Sequence, residues 1–511
     1  MSTSTDSPID ATHGGAVSGL GQTIKSGAGW TIAARFGGRV VRMVAFFVLA
    51  KLLGPKLLGV VGTLYVIDPL TMILSRLGTT PAIIQKKDAG PDHFDSAMIV
   101  NVLMGLVVAV AVAAVSPLIG RALDDPLLAE VLLPYTIVFA VRALSFTPEG
   151  ILRRRMAFRT FAVMGEFANA AGCTVMIILA FNGRGVWSVF WAELLRAVLL
   201  SGLFVALCGH RFRLRFRLQA VREMVGFSGW ATVTEFFYYG ACNIFYIVVR
   251  VALGSVALGL YVFAFRLISQ PLEQIAMRLY EVMFPAFSRY QDKPEDVLRV
   301  QRKLVCAISL FALPFLSIAA VLADEFFAVL MGPKWAGAVL PFQILCAAGM
   351  IRVFVGAAGA LIRSRGHIRF EALALAVVFI LMGIGTAIGT LFDLPGVAVA
   401  VDIVTAVYLG LYLVYQGRKT EASVRNFFDA VWPGLHCALA SVAVCVGTMW
   451  LLVAATGLDD LARLLIAGAC AIVACLVTVA LHPDPTLRSV VWELTHLLRR
   501  RNDESSATGG Q

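Results

Sequence analysis

From residue 28 to residue 481 the chain is an almost continuous series of apolar runs, each about as long as the roughly 20 residues that a bilayer-crossing helix needs. Lipid offers the backbone no hydrogen-bond partners, so such runs must form helices or a closed barrel; continuous apolar stretches without strict alternation point to helices. The expected fold class is therefore all-α integral membrane. Hydrophobic residues make up 59% of the chain and charged ones 15%, a composition that belongs in a bilayer. Apolar length, Gly and Pro punctuation and charge clusters place spans at 28–50, 58–82, 95–120, 128–150, 160–182, 186–208, 225–250, 256–286, 303–323, 338–362, 370–392, 396–416, 430–456 and 461–481, fourteen in all.

The two halves echo one another. Gly29-Trp30 returns as Gly229-Trp230, Leu53-Gly54 as Leu253-Gly254 and Leu58-Gly59 as Leu258-Gly259, each displaced by 200 positions. Slightly larger offsets relate Pro69-Leu70 to Pro271-Leu272, Arg76-Leu77 to Arg278-Leu279, Pro134 to Pro341 and Arg142 to Arg352. An even number of spans separates equivalents, so the halves share orientation about an axis along the membrane normal. The expected organisation is two six-helix pseudo-repeat lobes: an N-terminal lobe over 28–210 holding spans 1 to 6, and a C-terminal lobe over 225–420 holding spans 7 to 12. Helices 13 and 14 at 430–481 have no repeat counterpart; as an added pair they could form a groove for a lipid tail or simply buttress the second lobe. Residues 1–27, rich in Ser, Thr and Gly, read as a disordered cytoplasmic tail. Residues 482–511 form a basic tail in which Leu487, Val490, Val491, Leu494, Leu497 and Leu498 recur at helical spacing before Arg499-Arg500-Arg501. A helix on the membrane surface is expected there, with a solvated tail as the alternative.

Alternate loops separate by charge. Lys86-Lys87, Arg153-Arg154-Arg155, Arg211 to Arg222, Lys293 to Lys303, Arg363 to Arg369 and Arg418-Lys419 fall on one side, which is then cytoplasmic along with both termini. The net charge of +11 is accounted for by this rule and by anionic lipid headgroups, not by nucleic acid. The opposite loops hold Asp124-Asp125, Asp324-Glu325, Asp393 and Asp459-Asp460 and are short, so any chemistry lies within the bundle. The nine cysteines sit singly in apolar segments and read as small core residues. No phosphate-binding glycine loop, zinc spacing or local Ser-His-Asp grouping occurs, so no metal, cofactor or catalytic residue is expected and transport outranks catalysis.

Ionisable residues at membrane depth are the candidates for function. In span 1, Arg35, Arg39 and Arg42 share a narrow sector of one helix face beside Gly37-Gly38. A cation near the bilayer centre costs at least ~2.5 kcal/mol, so such a stripe calls for a wet cavity or paired partners, and an anionic substrate is the natural partner. Arg142 and Arg352 are repeat equivalents; Arg196, Arg266 and Arg278 add to the positive set, against the acids Asp68, Glu166, Glu193, Glu235, Glu273, Glu281 and Asp402. For each arginine an interhelical ion pair is the competing role. Asp68 and Glu273 could carry protons or a coupling cation, or could balance an arginine. Asp68-Pro69 and Gln270-Pro271 occupy equivalent places, where proline removes a helix hydrogen bond; Pro69 and Pro271 are the expected hinges. Phe227, Trp230, Phe236, Phe237, Tyr238, Tyr239, Phe245 and Tyr246 crowd the start of the second half, where they could stack on sugar rings or make an ordinary core.

Several motifs carry a family likeness. Ala257-Leu258-Gly259-Leu260-Tyr261, then Arg266-Leu267, Pro271-Leu272 and Phe284-Pro285-Ala286-Phe287-Ser288-Arg289-Tyr290-Gln291-Asp292 closely resemble the bacterial polysaccharide flippases, the Wzx type within the multidrug/oligosaccharidyl-lipid/polysaccharide (MOP) exporter superfamily. Leu52-Leu53-Gly54-Pro55, Ala82 to Asp88, Arg154-Arg155-Met156-Ala157-Phe158-Arg159 and Gly332-Pro333-Lys334-Trp335 agree, so that the resemblance spans Gly27 to Glu421. It implies a MOP/MATE-like carrier of about fourteen helices in the bacterial inner membrane. Such a carrier moves undecaprenyl-diphosphate-linked oligosaccharide units to the periplasmic leaflet for exopolysaccharide, capsule or O-antigen synthesis. It also implies membrane lipids as surroundings, a polysaccharide polymerase and export machinery as partners, and no cofactor. By location it places Arg39, Arg42 and Arg266 in a cationic cavity for the diphosphate; Arg35, Arg142, Arg278 and Arg352 complete the candidate diphosphate and sugar set. One departure is Lys56-Leu57 after the first Leu-Leu-Gly-Pro, where the family has an acidic-aromatic pair. The rivals are a drug/cation antiporter of the same superfamily, which would want acids in the first lobe, a lipid II flippase, and a membrane glycan polymerase or ligase, which would want a large periplasmic loop.

Overall fold

The computed structural model describes the backbone of residues 13–86, 88–289, 294–364, 367–419, 424–455 and 457–490, and their side chains except at 13–36, 39, 225, 227–231, 234, 273–289, 294–297, 360, 363–364, 368, 419 and 455. Over the described residues the chain is all-α. The helices are α1 (His13–Arg76), α2 (Thr79–Gln85), α3 (Pro91–Ala122), α4 (Pro126–Arg154), α5 (Phe158–Phe181), α6 (Trp187–Leu207), α7 (Leu218–Arg289), α8 (Pro294–Val321), α9 (Ala323–Phe326), α10 (Val339–Ser364), α11 (Ile368–Gly389), α12 (Asp393–Lys419), α13 (Val424–Ala455) and α14 (Asp460–Leu481). Their starts follow from local chemistry: Pro91 and Pro126 open α3 and α4 where no amide hydrogen is needed, and Asp125 Oδ1 accepts from the Leu128 amide at 3.2 Å.

Both long helices break at the same place in the repeat. Gly54 (φ 73°, ψ 174°) interrupts α1 and Gly254 (φ 83°, ψ −172°) interrupts α7, left-handed φ values that favour glycine. Pro69 and Pro271 lie inside helical segments, so the backbone leaves helical geometry at the two glycines and not at the expected proline hinges. Five residues beyond each break the repeat glycines meet reciprocally: a Cβ on Gly59 would sit 1.8 Å from the Ser255 carbonyl oxygen, and one on Gly259 would sit 1.9 Å from that of Pro55. Two helix backbones touch here because neither residue has a side chain.

The chain forms two compact units, Met1–Leu53 with Ile67–Phe236, and Gly54–Val66 with Phe237–Gln511. Within the first, α4 packs on α3 and α6, and α6 on α5; within the second, α10 packs on α8 and α12, and α12 on α11. This is one packing order used twice, as the sequence echo requires. In the second unit α13 also runs along α8, with Gly434 so close to Ser309 that a Cβ would fall 2.5 Å from its carbonyl carbon. A backbone approach of this kind holds α13 tightly against α8.

Among the described residues, eleven helical segments are long and apolar enough to cross a membrane. Three of them, Val40–Arg76, Glu235–Leu272 and Arg369–Arg418, run to 37, 38 and 50 residues, and each joins two of the expected spans. Exposed apolar stripes such as Leu103, Val107 and Val110 on α3 mark lipid-facing surface, since a water-soluble protein could not present them. Past α14, residues 485–490 form one helical turn and a half, started by Asp484 Oδ1 accepting from the amides of Thr486 (2.6 Å) and Leu487 (3.3 Å). Leu487 and Val490 are buried against protein, not laid on lipid, while Val491, Leu494, Leu497 and Leu498 lie outside the described residues.

Candidate functional site

In the first unit the central feature is an ion cluster around Arg142. The residue projects from α4 and is 3% exposed. Its Nη1 donates to both oxygens of Asp68 at 2.5 and 2.6 Å, and its Nη2 donates to Glu193 Oε2 on α6 at 2.9 Å. Arg196, one turn beyond, reaches the same Glu193 oxygen at 2.9 Å. A fork held by two carboxylates is the strongest way to keep a guanidinium out of water. The Tyr135 hydroxyl, on the same helix, is buried without a hydrogen-bond partner. Asp68 thus balances Arg142 in this geometry.

A second pair lies nearby. Arg42 Nη1 donates to Glu166 Oε2 on α5 at 3.0 Å, and a Cβ on Gly38 would fall 1.8 Å from that oxygen, so the small Gly37-Gly38 pair makes room for the carboxylate. Cys173 lies within electrostatic reach of Arg42, Glu166, Glu193 and Arg196, which places the two ion groups side by side. The described cations Arg42, Arg142 and Arg196 therefore match the described acids Asp68, Glu166 and Glu193 in number. The side chains of Arg35 and Arg39 lie outside the described residues, as do those of Glu273, Glu281 and Arg278.

The second unit treats the equivalent arginine differently. Arg352 on α10 lines a cavity of about 360 Å³ together with Arg266, Gln270, Ser269, Asn243, Tyr246 and Tyr65. The Arg266 guanidinium lies 4.0 Å from the centre of the Tyr65 ring and that of Arg352 5.3 Å from the centre of Phe265. Although Glu371 lines an adjoining cavity that shares Arg352, none of the described residues that line this cavity is acidic. The repeat explains why: the position of Asp68, before Pro69, is filled by Gln270, before Pro271. One copy of the arginine is clamped by Asp68 and Glu193; the other lines a polar chamber with Gln270. Of the aromatic group, Tyr238 and Tyr246 line the cavity, Tyr239 donates to the Val66 carbonyl, Phe237 meets Phe379 edge-on at 6.0 Å, and Phe245 packs in the core beside Tyr261. The side chains of Phe227 and Trp230 lie outside the described residues.

The family-like motifs outside the spans are structural. Arg154 donates to the Ile83 carbonyl at 2.7 Å and to that of Lys86, and Arg155 to the Cys208 carbonyl at 2.6 Å, capping the exposed ends of α2 and α6. Gly332 (φ 82°) turns the chain so that Trp335 is buried against Phe263, ring centres 4.6 Å apart. Lys86 and His93 hydrogen-bond Glu223 and hold its carboxyl below the usual carboxylate range. Sequence reasoning missed Asp95. This buried acid at the start of α3 accepts from His210 Nε2 at 2.8 Å and from the Arg213 amide at 3.1 Å, and neighbouring Ser96 accepts from the Arg217 amide at 3.0 Å. Together they pin the basic stretch between α6 and α7; the one available signal was an acid opening an apolar helix opposite a run of arginines. Among the described residues no group of three His, Cys, Asp or Glu side chains could hold a metal ion.

Comparison with known proteins agrees with this architecture. The chain is 24% identical over 430 residues to the lipopolysaccharide biosynthesis protein WzxC of Escherichia coli (strain K12), covering 82% of this chain and 86% of that one. It is 23% identical over 316 residues to the succinoglycan biosynthesis transport protein ExoT of Rhizobium meliloti (strain 1021), covering 62% and 64%. Among solved structures, the lipid II flippase MurJ in an inward closed conformation superposes with a TM-score of 0.73 at 13% identity, over 88% of this chain and 97% of that chain. An inward-facing multidrug resistance MATE transporter gives 0.59 at 16% identity, over 75% and 94%. The second of these is a transporter of the MOP superfamily, and both likenesses are likenesses of fold. Residues 48–340, more than half of the chain, match the polysaccharide biosynthesis protein family, and the chain belongs to that family of membrane transporters.

Proposed function

We propose that this protein flips lipid-linked oligosaccharides, taking an undecaprenyl-diphosphate-linked repeat unit from the cytoplasmic to the periplasmic leaflet of a bacterial inner membrane. The observation that carries the reading is the second-unit cavity, in which two arginines, Arg266 and Arg352, line one polar chamber with Gln270, Ser269, Asn243 and tyrosines. Guanidinium forks match phosphate geometry, and a chamber of hydroxyl and amide groups suits hydrated sugar. The names of the relatives, a lipopolysaccharide biosynthesis protein and a succinoglycan transport protein, support the same cargo class. In the first unit, Arg142 and Arg42 act through their carboxylate partners as framework. A drug/cation antiporter would need an available carboxylate there, and Asp68, Glu166 and Glu193 are each engaged by arginine.

Counting each of the three long apolar segments as two crossings gives fourteen, six in each half and two in the added hairpin, with both termini in the cytoplasm beside the basic loops. Glycan polymerase and export proteins are the partners such a carrier would serve. The test is complementation of a strain lacking its polysaccharide flippase. Arg266→Ala/Arg352→Ala should abolish surface polysaccharide at unchanged membrane abundance; normal output from that variant would remove the cavity from the transport path.

A further inference from the structure

A second cavity, of about 280 Å³, opens where the first turns of α8 meet the last turns of α12 and the first turns of α13. It belongs to the second unit, is separate from the chamber around Arg352, and has no repeat counterpart because α13 has none. Its floor is a fixed amide pair: Gln301 and Gln416, 7% and 2% exposed, are joined at 3.1 Å, and Gln416 Nε2 donates to the Ala358 carbonyl at 2.8 Å. These bonds tie α8 and α12 to α10 and set the width of the opening. Arg299, Arg302 and Asn426 supply its polar lining. The remaining wall is apolar, with Leu413 beside Phe427, which is buried and lies edge-on to Phe354 at 5.5 Å.

We propose that this cavity binds an anionic phospholipid, its phosphate between Arg299 and Arg302 and its glyceryl and first acyl carbons against Phe427 and Leu413. Three features select a lipid over a soluble anion. The cavity sits at the ends of helices long and apolar enough to cross a membrane. Lys303, Arg418 and Arg425 lie within two residues of its lining in sequence and add positive charge to the same helix ends, which concentrates anionic lipid. The cavity also joins a guanidinium pair to an apolar wall, a combination that free phosphate could use only in part. A lipid seated here would bridge α13 to α8 and α12, so the hairpin outside the repeat would be fastened to the second unit by a molecule of the membrane itself. The inference is independent of the cargo and its cavity.

The experiment uses the full chain purified in a neutral detergent, with the thermal unfolding midpoint followed against added phosphatidylglycerol, phosphatidylcholine or sodium phosphate. Phosphatidylglycerol should raise the midpoint saturably, with the other two far weaker. Arg299→Gln/Arg302→Gln should bind phosphatidylglycerol roughly thirtyfold more weakly, about fivefold per arginine. Asn426→Asp, which keeps both arginines at an exposed position and adds a negative charge, should weaken it as well. Equal phosphatidylglycerol responses from wild type and both variants would overturn the proposal. So would an equal response to sodium phosphate, which would make the cavity a site for soluble anions.

Discussion

Gln270 is the position at which the two repeats part company, and converting it to Glu tests what that difference does. The change is isosteric: one amide becomes a carboxylate in a cavity that already holds Arg266 and Arg352. The first unit shows the outcome of placing an acid there, since Asp68 takes Arg142 at 2.5 and 2.6 Å. A hydrogen bond to a charged group contributes about 1.5–3 kcal/mol, and a diphosphate would have to displace it. Affinity for a short prenyl diphosphate should therefore fall by roughly ten- to hundredfold in Gln270→Glu, at about 1.4 kcal/mol per tenfold. Gln270→Ala removes the side chain without adding charge and should stay within about threefold, less than one hydrogen bond to a charge. Calorimetric titration of the purified protein reads both values, and export in the complemented strain should fall with them. If Gln270→Glu binds the diphosphate as tightly as wild type, the contrast between Asp68 and Gln270 plays no part in making the second-unit cavity a phosphate site.

Three further outcomes follow from the packing. Gly59→Ala places a methyl 1.8 Å from the Ser255 carbonyl oxygen; overpacking of this kind costs about 1–3 kcal/mol or more. Adding Gly259→Ala should cost less than the sum of the two single changes, because the first has already parted the helices; full additivity in thermal unfolding would refute the reciprocal contact. Arg142→Met leaves Asp68 buried without its cation, while Glu193 keeps Arg196, and should destabilise by about 3–5 kcal/mol, part of which Asp68→Asn restores in the double variant. Glu223 is held below the usual carboxylate range by Lys86 and His93, so its clasp is intact above that range and is lost as pH falls through the lowered value. Glu223→Gln should flatten this part of the acid limb of a stability profile, and an unchanged limb would show that the clasp contributes nothing.

The spans and the internal repeat were legible because both are written in local pattern: run length for the first, recurring pairs such as Leu-Gly for the second. Partner choice was not. Arg142 and Arg352 look alike in sequence, and their different fates depend on Asp68 and Gln270, which lie 74 and 82 positions before them and reach the arginines only through the fold. Lipid-facing and protein-facing leucines are chemically identical, so Leu487 and Val490 read as a surface stripe until their burial was seen. The helix breaks at Gly54 and Gly254 were not read from the sequence, where Pro69 and Pro271 drew attention instead: a proline costs one hydrogen bond, whereas the two glycines adopt a backbone region that other residues avoid.

The path of the chain through its two compact units is laced. Residues 54–66 leave the first unit, join the second, and the chain then goes back to complete the first. No single cut between 210 and 225 can release two intact halves, because the amino-terminal fragment would carry away thirteen residues that the other half packs around. During synthesis those residues must wait, unpartnered by their own unit, until some 170 more have emerged from the ribosome. A protein whose sequence reads as two tandem copies thus does not divide at a single point along its chain.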